Sequence, residues 1–426
     1  MGLKPGYKQT EVGVIPGDWD VRPLSKCARR ITDGEHQTPI RSASGFYLLS
    51  ARNILDGRID LSDVDYVGED EYRRIRQHCD PESGDVLISC SGTVGRVATV
   101  PPGLECVMVR SAALVKLIPG AMSGLFLQYF LQSYGGQKQI IASLNQGAQA
   151  NLFQNHIQAL RVPIPAGATE QDDVAEALSD ADALIESLEQ LLVKKRHLKQ
   201  GAIQELLTGK MRLPGFTEKW VLKSLGELFT FSGGFTASRD QLSSEGHCYL
   251  HYGDIHASKK MFIDVHSEFQ DIPKLDVPLK KVSPASLLND GDIVFVDASE
   301  DDDGTSRHIV VINPGGVPFI SGLHTIVAKS KANDLEHNYR GYCFQTPAVK
   351  NQFKFFAVGT KVSGISKSNI AKITMPIPSV PEQTAIAAVL SDMDAEIANL
   401  ETKLTKARQL KTGMMQELLT GRIRLI

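Results

Sequence analysis

EQDDVAEALSDADALIESLEQLLVKKRHLKQGAIQELLTGKMRL, residues 170–213, returns at residues 382–425 as EQTAIAAVLSDMDAEIANLETKLTKARQLKTGMMQELLTGRIRL. The two copies align without a gap at a constant shift of 212 residues, and they are identical at 25 of 44 positions. Two unrelated amphipathic helices would not share so long an ungapped identity. The repeat therefore indicates one structural unit that the chain uses twice.

Both copies carry the apolar stripe of a long amphipathic helix. The stripe positions alternate in steps of four and three, a heptad spacing whose seam needs a partner helix to cover it. The predicted helix-pairing seam consists of Val174, Leu178, Ala181, Ile185, Leu188 and Leu192 in the first copy, and of Ile386, Leu390, Met393, Ile397, Leu400 and Leu404 in the second. Because a pseudo-two-fold axis must exchange the copies, the sequence predicts two long antiparallel helices that form a coiled coil.

Proline and glycine mark the ends of each predicted helix. Each copy follows a proline-marked loop, Pro163–Pro165 or Pro376–Pro378, and ends at Leu-Thr-Gly. A Pro-Gly…Trp segment precedes each half of the chain, at Ile15–Trp19 and again at Leu213–Trp220. The pseudo-two-fold therefore predicts that the residues after the second helix lie beside Ile15–Trp19.

Two blocks, residues 21–165 and 221–378, mix short strand-like runs with turns. In each block a Gly-Asp opens a strand, Gly84–Ser89 or Gly291–Val296, that runs into a polar loop before the next strand. The predicted fold class is α+β, with two globular domains separated by two long antiparallel helices and a pseudo-two-fold internal repeat. The predicted boundaries are 1–168 for the first globular domain, 169–209 for the first helix, 210–381 for the second globular domain, and 382–426 for the second helix and tail.

Composition limits the class of protein. A chain of 426 residues can form two or three domains, and 42% hydrophobic and 22% charged residues are ordinary for a soluble protein. The sequence has no run of about 18 apolar residues and no apolar signal core, which predicts a cytoplasmic protein without a membrane partner. The six cysteines form no C-x-x-C pair, so we expect reduced, packed thiols. With a net charge of −3, any basic surface must be local.

Enzyme motifs are missing from the sequence. It contains no G-x-x-x-x-G-K-[ST], no G-x-G-x-x-G after a strand, no H-E-x-x-H and no N-P-P-Y-like tetrapeptide of an amino-methyltransferase. Nothing resembles the paired carboxylates and lysine of an endonuclease. We therefore expect no catalytic residue and no cofactor bound by this chain.

Three polar clusters have a simpler interpretation than a ligand site. Fitting Glu300–Gly304 to a calcium loop puts Ser299 at the first ligand position and Val310 at the last, where the loop needs carboxylates. The histidines His247, His251 and His256, with Asp254, could offer metal ligands, but their spacing matches no zinc pattern and no cysteine pair assists. We therefore interpret them as a polar loop whose side chains can hydrogen-bond, including to DNA. Arg73-Arg74-Ile-Arg76 fits the solvated face of a helix as well as a basic contact surface. The sequence therefore predicts no metal site.

Local charge points to an anionic partner more strongly than net charge does. Eight Lys/Arg lie between Lys329 and Lys372, against two acidic residues, and the stretch 106–161 has four Lys/Arg and no acidic residue. Both stretches contain aromatic residues, and residues 137–155 are rich in glutamine and asparagine. Such side chains suit phosphate neutralisation and hydrogen bonds to base edges. The alternative is that the aromatic residues are core and the lysines merely solvate the surface.

These features together resemble a known family. The duplicated Leu-Leu-Thr-Gly helix ends, the opening Gly6–Pro16 (GYKQTEVGVIP) and the doubled Pro-Ile-Pro look like those of specificity subunits of type I restriction–modification systems. Thr32–Pro39 (TDGEHQTP) resembles one family of target-recognition domains. Tyr249–His256 (YLHYGDIH) with Asp297–Asp301 (DASED) resembles another. The resemblance spans essentially the whole chain.

The resemblance implies a non-catalytic DNA reader. Two target-recognition domains would each bind one half of a bipartite, asymmetric double-stranded site, and the paired helices would space them. The helices would also be the platform for two modification (methyltransferase) subunits that bind S-adenosylmethionine. Separate restriction (translocase/nuclease) subunits would use ATP and Mg. Since methylation needs a base flipped from the stack, the reader must position the duplex for its partners.

The family has no fixed set of base-contacting residues, so we predict them from polar loops and basic stretches. The predicted DNA-binding residues are Ser91, Thr93, Arg96, Tyr252, His256, Ser306, Arg307, Lys350, Lys354 and Lys361. Two alternatives stay open at this level. One is the recognition subunit of a methylation-only or fused restriction system, and the other is a coiled-coil scaffold that binds proteins rather than DNA.

Overall fold

The computed structural model describes residues 5–144, 150–258, 260–299, 304–359 and 363–425. The chain divides into two units, the first formed by Met1–Gln190 with Thr402–Ile426 and the second by Leu191–Glu401. Each unit contains one block together with a segment of each long helix. The four predicted domain boundaries stay a prediction.

The first unit combines short strands with four helices before the long helix begins. Its strands are β1 (Tyr7–Thr10), β2 (Gly13–Pro16), β3 (Asp20–Pro23), β4 (Ala28–Asp33), β5 (Arg41–Ser42), β6 (Phe46–Leu49), β7 (Ile54–Leu55), β8 (Arg58–Ile59), β9 (Asp65–Val67), β10 (Val86–Ser89), β11 (Val97–Thr99), β12 (Cys106–Met108), β13 (Ala112–Leu117) and β14 (Arg161–Ile164). Its helices are α1 (Glu69–Arg76), α2 (Gly124–Gln132), α3 (Tyr134–Ala142) and α4 (Gln154–Ala159).

Two four-stranded sheets form the first block. The order β11-β10-β13-β4 is antiparallel throughout, and in the second sheet, β12-β6-β9-β5, the pair β12/β6 is parallel. Strand β10 is buried on both faces. Val86 and Ile88 pack with Phe126 of α2, whereas Leu87 packs with residues of the second sheet, because successive side chains of a strand point to opposite faces.

The repeated sequence forms two helices of 39 residues. The first is α5 (Ala168–Leu206), and its counterpart at the end of the chain, named below as α10, has the same length. The predicted loops before them are instead strands: Pro163 lies in β14, which pairs with β3, and Pro376 lies in a strand paired with Val221–Ser224. Proline fits there because each strand belongs to a two-stranded pair with a free edge that needs no N–H.

The second unit repeats the plan with additions. Its strands are β15 (Val221–Ser224), β16 (Phe229–Gly233), β17 (Leu242–Ser243), β18 (His247–Leu250), β19 (Phe262–Asp264), β20 (Lys274–Leu275), β21 (Ile293–Val296), β22 (Ala298–Ser299), β23 (His308–Ile312), β24 (Phe319–Ser321), β25 (Thr325–Ser330), β26 (Ser363–Gly364) and β27 (Thr374–Ile377). Its helices are α6 (Leu225–Leu228), α7 (Tyr252–Ala257), α8 (Pro347–Phe356) and α9 (Lys367–Ile370). The long helix α10 (Val380–Leu418) begins in this unit and ends in the first.

The sheets of the second block have the order of the first. Strands β23-β21-β25-β16 correspond to β11-β10-β13-β4, with β19 added beside β23. Strands β24-β18-β20-β17 correspond to β12-β6-β9-β5, and the pair β24/β18 is again parallel. The predicted α+β fold with an internal repeat is therefore confirmed.

Seven of the twelve seam residues are buried and five are half-buried. The buried ones are Val174, Leu178, Leu192, Ile386, Leu390, Leu400 and Leu404, and the half-buried ones are Ala181, Ile185, Leu188, Met393 and Ile397. At the start of each helix the stripe also packs into a block core. Val174 and Leu178 belong to the core of the first block, and Ile386 and Leu390 to that of the second.

Within each unit the two helix segments run antiparallel and are joined by equivalent ion pairs. In the first unit Lys411 pairs with Asp182 and Arg408 with Glu189 at 2.6 Å. In the second unit Lys199 pairs with Asp394, and Arg196 pairs with Glu401 at 2.6 Å. Each of these residues in one unit lies 212 positions from its counterpart in the other.

A buried carboxylate fastens the start of each long helix. Glu170 accepts hydrogen bonds from Nε and Nη2 of Arg424, each at 2.7 Å, and Trp19 Nε1 lies 3.3 Å from the same carboxylate. Arg424 also binds Asp18 at 2.8 Å, and Tyr7 donates to the carbonyl of Gly421 at 3.1 Å. The residues after the second helix therefore lie beside Ile15–Trp19, as the repeat predicts.

Candidate nucleic-acid interface

The parallel strand pair of each block ends at a rim that is built in the same way. In the first block Leu49 accepts a hydrogen bond from the Val109 amide at 3.0 Å, and Ser111 accepts one from the Cys90 amide at 2.8 Å. The second block repeats both bonds, from Gly322 to Leu250 at 2.9 Å and from Asp297 to His324 at 3.1 Å. We define the first rim as Asp33–Glu35, Ser50–Asn53, Cys90–Arg96 and Val109–Ser111. The second rim is Arg239, His251–Ala257, Asp297, Gly304–Arg307 and Gly322–His324.

Aromatic rings and histidines occupy the second rim. Tyr252, on α7, has its ring centroid 4.5 Å from His251 and 5.4 Å from His324. His256, also on α7, meets the same ring edge-on at 6.3 Å. His324 has φ 58°, and its Nδ1 lies 3.3 Å from Asp297. A left-handed backbone is uncommon outside glycine, so the surrounding bonds must hold this residue in place.

An arginine–carboxylate pair stands next to this ring cluster. Arg239 Nη2 donates to Asp254 Oδ1 at 2.8 Å and lies 3.4 Å from His251 Nδ1. The same Nδ1 accepts the amide of Gly253 at 3.0 Å, so it acts as an acceptor that caps α7. Burial and the neighbouring Arg239 charge lower the pKa of His251. The His251 ring is therefore a neutral cap, and the Arg239 guanidinium is held from one side.

The structure brings together most of the residues predicted for the second block. The Arg307 guanidinium donates to the carbonyl of His256, and Gly304 packs against Ser299 and His256. Ser306 lies in the 3-10 turn that begins at Gly304, and α8 runs beside that turn. Lys350 and Lys354 lie on α8, half-buried and exposed respectively, while Lys361 lies outside the described residues.

The residues predicted for the first block lie in one loop. Ser89 Oγ holds this loop, because it donates to the Thr93 carbonyl at 2.6 Å and accepts from the Arg96 amide at 2.9 Å. Thr93 is exposed at the tip, while Ser91 is half-buried and forms a bridge with Asn151. Arg96 is half-buried. The loop therefore presents Thr93 and Arg96 on a backbone that is fixed from below.

Glu35 and Asp33 place carboxylates on the first rim. Glu35 accepts from Arg74 at 2.9 Å, and Arg74 is in turn held by Glu71 through two bonds of 2.8 and 2.9 Å. Burial raises the pKa of Asp33, and its Oδ1 is buried without a hydrogen-bond partner in the described part of the chain. These carboxylates come from Thr32–Pro39, the segment that the sequence analysis quoted only as a motif.

Ion pairs account for the arginines of α1. Arg73 pairs with Glu69, Arg74 with Glu71 and Glu35, and Arg76 donates to the hydroxyl of Tyr72 at 2.8 Å. The side chain of Arg73 is 70% exposed. These contacts favour the interpretation of Arg73-Arg74-Ile-Arg76 as a solvated, ion-paired helix face.

Several charges and rings in the basic stretches have structural roles instead. Lys116 is 3% exposed and pairs with Glu82 at 2.7 Å and Asp85 at 2.9 Å. Arg340 is 8% exposed and donates to backbone carbonyls of Leu335 and Gly291. Tyr339, Tyr342, Phe353, Phe126 and Tyr129 are buried in the cores, whereas Phe355 and Tyr134 are exposed. The basic stretches are therefore weaker evidence for DNA contact than their sequence indicates.

Metal ligation receives no geometric support from the described residues. No group of three or more His, Cys, Asp or Glu side chains within them could hold an ion. His251 caps α7, and His256 and His324 pack on Tyr252. The acidic stretch Glu300–Asp303 lies outside the described residues. All six cysteines are buried free thiols.

Comparison with protein families covers both halves of the chain. The model of the type I restriction modification DNA specificity domain matches residues 61–194 and again residues 217–409. The chain belongs to this family. The two matches correspond to the two units, which explains why one fold occurs twice.

Individual relatives align with this chain along almost their whole length. The type I restriction enzyme EcoKI specificity subunit of Escherichia coli K12 is 24% identical over 97% of this chain and 90% of its own length. The MjaVIII specificity subunit of Methanocaldococcus jannaschii is 23% identical over 96% of this chain and 94% of its own. The S subunit structure from M. genitalium superposes with a TM-score of 0.57 at 14% identity, covering 98% of both chains, and this likeness shows the fold.

The family assigns the chain to the specificity subunits of type I restriction–modification systems, which recognise DNA and are not enzymes. Within the described residues, no helix is long and apolar enough to cross a membrane. The family does not assign base-contacting residues. Arg239, Asp297 and His324 are rim residues that the sequence pattern did not single out, although Asp297 lies inside a quoted motif. Asp254 stands in the sequence pattern only as a metal-ligand candidate beside the histidines.

Proposed function

We propose that each rim recognises one half of a bipartite, asymmetric double-stranded DNA site. The observation that carries this proposal is the pair of rims, which share their backbone hydrogen bonds and differ in their side chains. The first rim presents Thr93 and Arg96, while its carboxylates Asp33 and Glu35 are largely buried, and the second presents Tyr252, His256 and Arg307. A duplicated frame with different surface chemistry fits a protein that recognises two different sequences.

Base contacts of this kind distinguish sequences, while phosphate contacts position the duplex. Polar and aromatic side chains held on short, capped turns lose little freedom on binding, which favours precise contacts. We propose that Ser91, Thr93, Arg96, Ser306 and Arg307 approach bases or phosphates from their loops. Lys350, Lys354 and Lys361 would neutralise phosphates beside the second rim.

The long helices would serve as the spacer between the globular domains, which we propose to span residues 1–168 and 210–381. They would also be the platform for two modification (methyltransferase) subunits and for restriction subunits. S-adenosylmethionine, ATP and Mg would bind to those partners and not to this chain, and the complex would act in the cytoplasm. The seam and the ion pairs beside it join α5 to α10 within each unit, so the faces turned away from the seam are left for protein docking.

A block exchange tests the proposal. Residues 21–165 would be replaced by the corresponding block of another family member, and the methylated bases of cells that express the chain with its modification partner would be sequenced. We expect one half of the methylated site to change and the other to stay, because base contacts are local to each rim. A change in both halves would contradict modular recognition.

The coiled-coil scaffold remains a distinct alternative with its own outcome. It predicts no salt-dependent DNA affinity even when the modification partner is present, whereas a DNA reader loses affinity steeply as salt is raised. The alternative of a methylation-only or fused system differs in whether restriction subunits join the complex. Methylation alone, or DNA cleavage without separate restriction subunits, in the reconstituted complex would favour it.

A further inference from the structure

The second rim contains an arginine whose orientation is set before any DNA binds. Arg239 lies in the 3-10 turn Arg239–Gln241, whose ends are tied by a capping box between Ser238 and Gln241. Its side chain is 61% exposed, although Asp254 holds its Nη2 at 2.8 Å. An ion pair at a side chain this exposed adds little to stability, so stabilisation alone does not require such an arrangement.

The guanidinium retains donors for a ligand. Nη2 donates one N–H to Asp254 and lies 3.4 Å from His251 Nδ1, whose single lone pair already accepts the Gly253 amide. The second N–H of Nη2 can therefore act together with an N–H of the neighbouring Nη1, which has no acceptor among the described residues, as a pair of donors for a ligand. Asp254 is itself fixed, because it lies on α7, whose N-terminus His251 caps. The bond to a carboxylate is charge-assisted and keeps the planar fork from rotating freely.

The neighbours of Arg239 favour a nucleic-acid ligand over a free anion. Tyr252 and His324 present an aromatic surface on the same rim, and Asp254 and Asp297 add negative charge there. Two carboxylates disfavour an anion, whereas a base edge is neutral and tolerates them. Among neutral base edges, guanine offers two acceptors, O6 and N7, that match two guanidinium donors, and this is the commonest specific arginine contact.

We propose that Arg239 is a specificity-determining residue that recognises a guanine, through O6 and N7 in the major groove, in the half-site bound by the second block. Asp254 is the positioning residue that orients it. This inference rests on the proposed function, because it assumes that the second rim contacts DNA. It assigns one base of the target to one side chain.

Three variants separate base recognition from phosphate binding. Arg239→Ala removes the guanidinium, and Arg239→Lys keeps the positive charge without the paired donors. Asp254→Asn keeps the arginine but weakens the bond that orients its guanidinium. The control is Lys260→Ala, because Lys260 is 64% exposed and pairs with Glu268 in the same unit but lies outside the rim. Each variant would be purified with its modification partner and checked for an unchanged thermal unfolding midpoint.

The first measurement is the methylated motif in cells. Wild-type protein must give a bipartite motif and salt-dependent DNA binding, and if it gives neither, the proposed function fails before Arg239 is tested. With that control met, we expect Arg239→Ala and Arg239→Lys to relax one G·C position in one half-site and leave the other half-site unchanged. Lys260→Ala should keep the wild-type motif.

The second measurement is binding to oligonucleotides that carry 7-deazaguanine at each guanine of that half-site in turn. At one position the loss of N7 should weaken wild-type binding several-fold, within the roughly 5- to 150-fold range of a bidentate base contact. Replacing that guanine by 7-deazaguanine should not change the affinity of the Arg239→Ala variant. It should lower the affinity of Asp254→Asn by less than it lowers that of the wild type.

Three results would overturn the inference while leaving the proposed function intact. In one, the half-site lacks a G·C pair. In another, the Arg239→Ala variant binds all DNA sequences more weakly by the same factor and with a shallower salt dependence, whereas Arg239→Lys binds them as the wild type does. That pattern would indicate a phosphate contact. In the third, the motif of Arg239→Ala is unchanged.

Discussion

Replacing Arg212 tests the buried ion pair that fastens the start of α10. Glu382 is 1% exposed, and its carboxylate accepts Arg212 Nε at 2.5 Å and Nη2 at 2.7 Å. Trp220 Nε1 donates to the same carboxylate at 3.0 Å. Arg212→Ala leaves this charge buried with one neutral donor. We therefore expect the free energy of unfolding of the second unit to fall by about 3–5 kcal/mol.

Glu382→Gln is the informative comparison because it removes the charge and keeps the shape. Arg212 then loses its partner, but its side chain is 26% exposed and can reach solvent. The cost should be about 1–2 kcal/mol, as for a lost hydrogen bond. The double variant should be less destabilised than Arg212→Ala alone, because no charge remains buried without a partner.

The two tryptophans of the chain allow the unfolding of each unit to be followed separately. Trp19 lies at the equivalent pair in the first unit, so a Trp19→Phe background leaves Trp220 as the single reporter of the second. Unfolding in urea would be followed by its fluorescence. Arg196→Ala, which breaks the exposed pair with Glu401, is the control and should cost at most about 1 kcal/mol. An Arg212→Ala effect no larger than that of the control would refute the reasoning.

Three further predictions use the same unfolding assay or simple chemistry. Leu400 is 7% exposed and Leu188 half-buried, so Leu400→Asp should cost several kcal/mol in urea unfolding and Leu188→Asp less; the opposite order would contradict their burial. Burial lowers the pKa of His308 below its usual value of about 6.5, so the neutral ring contributes fully above that pH. Stability should then fall as pH drops below about 6.5, by at most about 1.4 kcal/mol per pH unit, and His308→Gln should flatten that slope. Burial raises the pKa of the Cys79, Cys90 and Cys106 thiols to about 12, so a thiol reagent at pH 8 should modify them only after unfolding.

The two long helices were predictable because the same helical pattern occurs in both copies of the repeat. The repeat begins at Glu170, and the first helix begins at Ala168 and ends at Leu206, just before the Leu-Thr-Gly stop. Strands opened by Gly-Asp were also found where the pattern predicts them, as in Val86–Ser89. The parallel pairing of β6 with β12 could not be predicted, since it joins segments about 60 residues apart and strand preference depends on such neighbours.

Side-chain roles at the rims were harder to predict than the frame. Tyr252, His256 and Arg307, which the sequence placed in separate loops, come together because the motif that contains α7 leads into the rim. Arg239 was missed, since its partner Asp254 is 15 residues away and only the fold joins them. Lys116 was counted as basic surface because a sequence does not show that a lysine is buried among carboxylates.

The repeated contacts explain how one frame can carry two different rims. Tyr129 donates to Asp182 and Tyr342 donates to Asp394, each at 2.9 Å, so even the hydrogen bonds between block and helix are duplicated. A substitution in a buried pair such as Arg212–Glu382 costs about 3–5 kcal/mol, a large part of the stability of a domain. A substitution in an exposed rim pair such as Arg239–Asp254 costs about 0–1 kcal/mol. Changes at the rims therefore leave the fold intact, and after duplication the two rims can diverge while the frame that holds them stays the same.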